Sequence, residues 1–389
     1  MSAVLDKTLK NPIRLERTNN RRAWLIPILV IVSLWLISRY NFLLFHTFAE
    51  LFAVTIALIL AVVAWYTYDF SRNNFLVYLG AGYFWIGYLD LMHTLTYKGL
   101  HLLQSADPNT SIQFWIVARL FEALLLATAA STLVRNRLQR QFAFVLFGVI
   151  SLQATYAIFQ GYLPVFYIDG EGLTPAKIVA EYVVIALLLA AAGSIFYVRR
   201  LLDPTMVRLI LVSIVLTITA EVIFTLYSDV YSSTIFVGHI FKFLSYWLVF
   251  QAVVKISLAR PYRAMVRASS TYDAIPAPTL VVDRSGRIKQ ANRAALKVTG
   301  KSAQEILDQD CHDLFHPTGI ERDQCVVCDH IHHGRPLTDY ELQYPDGQWR
   351  EISLAPVNNL AGFNGLVHVS PVVTARKTAE AQLLKQAHF

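Results

Sequence analysis

Residues 47–67 read TFAELFAVTIALILAVVAWYT, with a single charge, Glu50. At about 1.5 Å of rise per residue, a helix of that length matches the roughly 30 Å hydrocarbon core of a bilayer. Working outward, comparable apolar runs occur at 24–38, 75–95, 112–134, 141–160, 176–198, 206–227 and 235–257. The first is the weakest, because Arg39 interrupts it. It is not read as a signal peptide: its basic leader is long and no small-x-small cleavage site follows. The chain is 55% apolar and only 16% charged, against about 25% charged in soluble proteins. A disordered chain, a coiled coil, a disulfide miniprotein and a wholly soluble enzyme are excluded.

Loop charge tests the count. With residues 1–23 as a basic cytoplasmic segment and eight crossings, inner segments carry 17 Lys and Arg between Lys7 and Arg267. Outer segments carry 3: Arg39, Lys98 and Lys177. This is the positive-inside asymmetry. It explains the net charge of +7 through topology and anionic lipid rather than nucleic acid, and it puts both termini in the cytoplasm.

Ionisable residues inside spans are expensive, so each marks a packing or functional site. They are Glu50, Asp90, His93, Arg119, Glu122, Glu181, Glu221, His239 and Lys242. Nearly all fall in the outer halves of their helices. Asp90 with His93, Arg119 with Glu122, and His239 with Lys242 share the i, i+3 spacing of one helix face. One reading is a set of ion pairs that fixes helix packing. The other is an outward-facing polar cavity suited to a divalent metal, a proton or a cationic ligand.

The run YDFSRNNFLVYLGAGYFWIGYLDLMHTLTYKGL (68–100) and the span containing FWIVARLFEALLLATA (114–129) resemble the membrane-associated sensor family of MASE type three, over residues 24–258. The resemblance implies a multi-spanning input module of a bacterial signalling protein in the inner membrane. The letters EAL at Glu122–Leu124 lie inside a span and are read as chance.

Beyond residue 258 the pattern changes. Residues 259–270 read as a linker helix. Strands are expected at 279–283, 287–291, 338–344, 348–357 and 365–373, with short helices at 292–299 and 303–307. A Pro345-Asp346-Gly347 turn joins two of the strands. AIPAPTLVVDRSGRIKQANRAALKVTG (274–300) and YPDGQWREISLAPV (344–357) resemble the opening and central hairpin of a PAS domain, over 271–374. The expected fold is therefore an α-helical membrane domain of about eight transmembrane helices followed by a cytoplasmic α+β PAS domain. A coiled signalling linker, 375–389, ends it.

The segment CHDLFHPTGIERDQCVVCDHIHHG (311–334) holds all three cysteines and five of the eleven histidines. Cys325-x-x-Cys328 has the gap that lets two thiolates meet one metal. With Cys311 and a histidine such as His330 it makes a Cys₃His set for zinc. An iron–sulfur cluster is the alternative, haem on His330, His332 or His333 a less favoured one, and thiols packed as small hydrophobes the plain one.

The ending LLKQAHF resembles the lead-in to a GGDEF diguanylate cyclase, yet no catalytic motif follows. In related PAS domains an acidic residue precedes the linker's Val-Thr; here Val372 takes its place. The chain reads as the sensor portion of a signalling protein, not an enzyme, acting as a homodimer on a cyclase or kinase output absent from it or lost by truncation. The alternatives are a transporter, or a haem redox protein using His93 and His239.

Overall fold

The computed structural model describes residues 24–100, 102, 107–135, 139–225, 233–316, 319–344, 347–360 and 363–387. The basic segment 1–23, Arg137, the Pro345-Asp346 turn and the final two residues lie outside them. The chain divides into two compact units, Met1–Pro261 and Tyr262–Phe389.

The first unit is helical. After α1 (Leu25–Tyr40) come α2 (Phe42–Ser71), α3 (Asn74–Leu95), α4 (Pro108–Ala129), the short α5 (Ser131–Arg135), α6 (Arg140–Phe159), α7 (Pro175–Tyr197), α8 (Pro204–Phe224) and α9 (Ser233–Val254). A two-stranded ribbon, β1 (Tyr167–Ile168) with β2 (Gly172–Leu173), precedes α7. Among the described residues seven helices are long and apolar enough to cross a bilayer. The expected eighth, α1, has 16 residues, about 24 Å at 1.5 Å per residue, short of the slab. Its cause is local. Asn41 is extended and caps α2 by accepting from the Leu44 amide, so the helix breaks, and α1 packs on α2 through Leu34, Phe45 and Ala49.

Helix starts are written in the sequence. Asp107-Pro108, Thr174-Pro175 and Asp203-Pro204 each place a capping oxygen before a proline in the first turn. Proline there costs no hydrogen bond, and the cap satisfies an orphan amide. Gly80 lets α3 lie against α2: a Cβ there would sit 2.5 Å from Ala64 Cβ and 3.3 Å from the Leu60 carbonyl. Small residues at helix crossings are how membrane helices gain close packing.

A π-helical segment, Lys255–Ala259, leads to α10 (Arg260–Ala274). The second unit is a five-stranded antiparallel sheet in the order β4-β3-β7-β6-β5. Its strands are β3 (Thr279–Asp283), β4 (Ile288–Ala291), β5 (Leu337–Gln343), β6 (Trp349–Leu360) and β7 (Phe363–Val369). Between β4 and β5 lie α11 (Arg293–Thr299), α12 (Ala303–Ile306), α13 (Cys311–Phe315) and α14 (Val326–His333); α15 (Thr374–Ala387) closes the described chain. Alternate residues Leu280 and Val282 on β3 meet Ile352, Leu354 and Leu366 from the other strands, covered by Ile306, Phe315, Val327 and Ile331.

Buried Asn292 locks the entry to this unit. Its Oδ1 accepts from the Thr279 and Ala295 amides, and its Nδ2 donates to the Ile275 and Ala277 carbonyls. At the exit, the Thr374 hydroxyl accepts from the Trp349 amide. Arg376 of α15 reaches Glu351 at 2.7 Å and Glu341 at 2.5 Å, and Lys377 also pairs with Glu341. These pairs tie the start of α15 to β5 and β6.

Candidate functional site

The polar residues of the spans form two neighbouring groups. Antiparallel neighbours bring the start of α2, α7 and α9 beside the end of α3 and α8 and the middle of α4. Asp90 accepts from Arg119 at 2.8 Å, from Lys242 at 3.2 Å and from the Tyr246 hydroxyl at 2.9 Å. Arg119 also pairs with Glu122, which accepts from Tyr83 at 3.0 Å. Lys242 reaches Glu50 at 2.6 Å, and His239 Nε2 lies 3.0 Å from the other Glu50 oxygen. A second group joins Lys177 to Glu181 at 2.7 Å and to the Phe224 carbonyl; Glu221 lies beside Glu181. Trp115 underlies the first group: Lys242 Nζ is 4.4 Å and the Arg119 guanidinium 5.0 Å from its ring.

All nine residues named in the spans are buried here, 4% exposed or less. Two further members escaped the sequence reading. Lys177 was counted as an outer-loop charge, yet it lies buried in the first turn of α7. His46, just outside the run that begins at Thr47, stacks on Tyr97 at 3.6 Å and meets His239 at 4.8 Å and His93 at 5.3 Å between ring centres. It sits one helical turn before Glu50, the i, i+4 signal that identifies it. His46, Glu50 and His239 offer ligand atoms within 4.8 Å of one another.

These side chains border a cavity of about 40 Å³, lined by the three histidines, Tyr97, Trp115 and Lys177 among others. That is space for about one water or a bare ion. A porphyrin does not fit, so the arrangement argues against haem between His93 and His239. Among the described residues neither ring nitrogen of His46 has a hydrogen-bond partner, nor does His93 Nε2; His93 Nδ1 is held by Ser111 at 2.8 Å.

The helical unit that carries this site is the part of the chain that a family model matches. Residues 37–261, more than half of the chain, match the MASE3 model, described as a membrane-associated sensor domain. The chain belongs to the MASE3 family. Residues 262–347 match the PAS fold. Solved structures similar to the chain include the PAS domain of an HTR-like protein from Haloarcula marismortui (18% identity, 29% of this chain and 95% of that one, TM-score 0.24). Another is the PAS domain of nitrogen regulation protein NR(II) from Vibrio parahaemolyticus (21%, 27% and 96%, 0.22). A third is the PAS domain of BvgS from Bordetella pertussis (17%, 32% and 98%, 0.22). No curated protein matches the chain. A MASE3 domain followed by a PAS domain makes this a membrane-associated signal-sensing protein, of a type that works with downstream output domains.

The cysteine segment of this MASE3 protein's PAS domain is carried by two short helices, α13 and α14. His312 and His316 stand one turn apart on and just after α13, while Cys325 caps α14 and Cys328 lies in its first turn. The four ligand atoms, two ring nitrogens and two sulfurs, fall within 4.8 Å of one another. Cys311 and His330, expected in the set, are elsewhere. The Cys311 thiol is buried in the core, where desolvation pushes its pKa up to about 12. His330 turns outward to the Pro336 carbonyl at 3.0 Å, and His333 to Asp329, so neither presents a haem ligand to the domain interior. A hydrogen bond from the Cys328 thiol, then one from His316, lowers the Cys325 pKa and favours its thiolate. The overlooked signal is His-x₃-His before Cys-x₂-Cys, both gaps typical of zinc ligands.

Proposed function

We propose that the membrane unit senses a small cation, a proton or a divalent metal ion, at His46, Glu50 and His239. It relays the change through the last span to the PAS domain and α15. These act as a homodimer on a cyclic-di-GMP or kinase type output.

The observation that carries this reading is a charge imbalance beside a cavity. Glu50, Asp90, Glu122, Glu181 and Glu221 are five carboxylates; Arg119, Lys177 and Lys242 are three fixed cations. With all of them ionised the network holds a surplus of two negative charges. An uncompensated buried charge is strongly unfavourable, and uptake of protons or of one divalent ion removes it. The three imidazoles around the cavity supply nitrogen ligands for such an ion. Its small volume favours an ion over an organic ligand.

Cytoplasmic placement of the PAS domain is supported by the segments after Ser71, which hold 11 basic residues on that side (Arg72 through Arg267) against Lys98 and Lys177 on the other. This count does not depend on α1. The side of the N-terminus does, and a reporter fused ahead of Trp24 decides it.

The test uses the full chain in lipid nanodiscs, with a photo-crosslinking residue at exposed Leu384 of α15. Crosslinked dimer is measured between about pH 5 and 8, and with added Zn²⁺ or Mg²⁺. The expected result is a changed yield with one of these stimuli, abolished in Glu50→Gln and His46→Leu. A yield indifferent to all of them, or equally responsive in both variants, sinks the proposal; cation flux into sealed vesicles would favour transport instead.

A further inference from the structure

The PAS domain carries a second site that owes nothing to the membrane network. We infer that His312 Nδ1, His316 Nδ1, Cys325 Sγ and Cys328 Sγ form a tetrahedral mononuclear site for a divalent transition metal, zinc by preference.

The distances carry the inference. In a tetrahedron with metal–sulfur bonds of about 2.3 Å and metal–nitrogen bonds of about 2.0–2.1 Å, nitrogens stand about 3.3 Å apart and nitrogen and sulfur about 3.5 Å apart. Here the two Nδ1 atoms are 3.2 Å apart. Cys325 Sγ to His316 Nδ1 is 3.4 Å, and Cys328 Sγ lies 3.3 Å from each Nδ1. Three nitrogen–sulfur edges and the nitrogen–nitrogen edge therefore agree with a single ion at the centre. Hydrogen bonding alone is a poor account of four mutually converging groups. Two Nδ1 atoms 3.2 Å apart need one proton between them, and the thiols compete for the same directions.

The surroundings fit a metal. The far nitrogen of His312, Nε2, lies 3.0 Å from the Ile320 carbonyl, the usual outer partner that fixes a ligating ring. The His316 ring stacks on His368 of β7, with centres 5.6 Å apart. His316 and Cys325 are buried, while His312 and Cys328 are half-buried. Cys328 borders a cleft of about 550 Å³, lined by both acidic and basic side chains (Asp310, Asp323, Asp329, Arg287 and Arg322), through which an ion could enter. Two thiolates neutralise a divalent ion, leaving no net charge to bury. An iron–sulfur cluster suits the arrangement less well. Where clusters take two histidines, these sit on one iron and the cysteines on the other, which separates the pairs rather than converging them.

The intact chain, purified in detergent with its thiols reduced, is loaded with Co²⁺. The expected spectrum has the ligand-field bands of a tetrahedral ion and a thiolate-to-cobalt charge-transfer band in the near ultraviolet. The membrane network has no sulfur, so that band reports this site alone, and its failure leaves the proposed membrane function untouched. Cys328→Ser and His312→Ala should remove or displace it, whereas Cys311→Ser and His330→Ala should keep it. Because a ligand variant could misfold, the unmodified protein gives a second readout: Zn²⁺ should protect Cys325 and Cys328 from alkylation at least tenfold, reversed by chelator. Absence of the charge-transfer band in the reduced wild-type chain overturns the inference. So does its dependence on Cys311 and His330 in place of His312, or unprotected Cys328 in the presence of Zn²⁺.

Discussion

Replacing Arg119 by Met should be among the most damaging single changes in the membrane unit, and a second change should repair part of it. Arg119 is 1% exposed. It donates to both Asp90 oxygens, to Tyr246 and to Glu122. At about 3 Å and an effective dielectric near 20, each carboxylate contact is worth roughly 5 kcal/mol of Coulomb attraction. Most of that offsets the desolvation of the charges. Methionine removes the attraction and leaves the desolvated anions behind, a loss of about 3–5 kcal/mol. The two anions are not equally exposed to it. Asp90 keeps Lys242 and Tyr246, whereas Glu122 keeps the Tyr83 hydroxyl. Glu122→Gln in the Arg119→Met background therefore removes the more isolated charge while retaining an acceptor for Tyr83. The double variant should recover about 1–3 kcal/mol relative to the sum of the singles. The assay is unfolding of the purified protein by increasing SDS in mixed micelles. Additive losses, or an Arg119→Met loss below about 1 kcal/mol, would refute a network held by charge balance.

Other consequences are as specific. Gly80→Leu forces a Cβ to 2.5 Å from Ala64 Cβ with backbone close behind; it should cost about 1–3 kcal/mol and lower detergent melting temperature, while Gly193→Leu, with nothing within 4 Å, should not. Asn292→Ala strands two amides and two carbonyls; a loss of about 3 kcal/mol raises the opened population of β3 and β4 roughly 100-fold, read by hydrogen exchange. For Asp283, burial opposes ionisation, but hydrogen bonds from the Ser285 hydroxyl, the Arg287 amide and Lys289 outweigh it and lower the pKa. A depressed carboxylate contributes stability that is present above its unfolded value, about 3.9, and lost as pH falls through the folded value. Asp283→Asn should therefore weaken the second unit at pH 7 and flatten its acid sensitivity below about pH 4, measured by proteolysis of the full chain.

The layout was legible because hydropathy is a local property. Runs such as 75–95 and 141–160 reappear as α3 and α6 within a residue or two. The alternating segments at 279–283 and 348–357 reappear as β3 and the body of β6. What composition could not show is where helices meet. The nine ionisable span residues were visible because charge inside an apolar run is conspicuous. That Lys242 touches both Glu50 and Asp90 depends on helices 152 and 192 positions apart in sequence. His46 and Lys177 were missed because each lies at a helix start, where a polar residue looks like loop. Cys311 misled for a similar reason. Its sequence neighbours are polar, yet as the first residue of α13 it points into the core, while His312 and His316, one turn apart, meet Cys325 and Cys328.

The size of the surplus charge bears on what kind of stimulus the membrane unit can use. Shifting a two-state protein from 1:99 to 99:1 requires a ligand that prefers one state by about 5.5 kcal/mol. Neutralising one charge at about 4 Å from its partner, at an effective dielectric near 20, changes their interaction by about 4 kcal/mol. Part of that acts equally on both states, so one charge falls short of a full switch, whereas two reach it. Two is also the number by which the buried carboxylates exceed the buried lysines and arginine. A stimulus that delivers two positive charges together, one divalent ion or a cooperative pair of protons, would therefore satisfy the energetics of switching and the electrostatics of the resting network at once. A monovalent metal ion would satisfy neither.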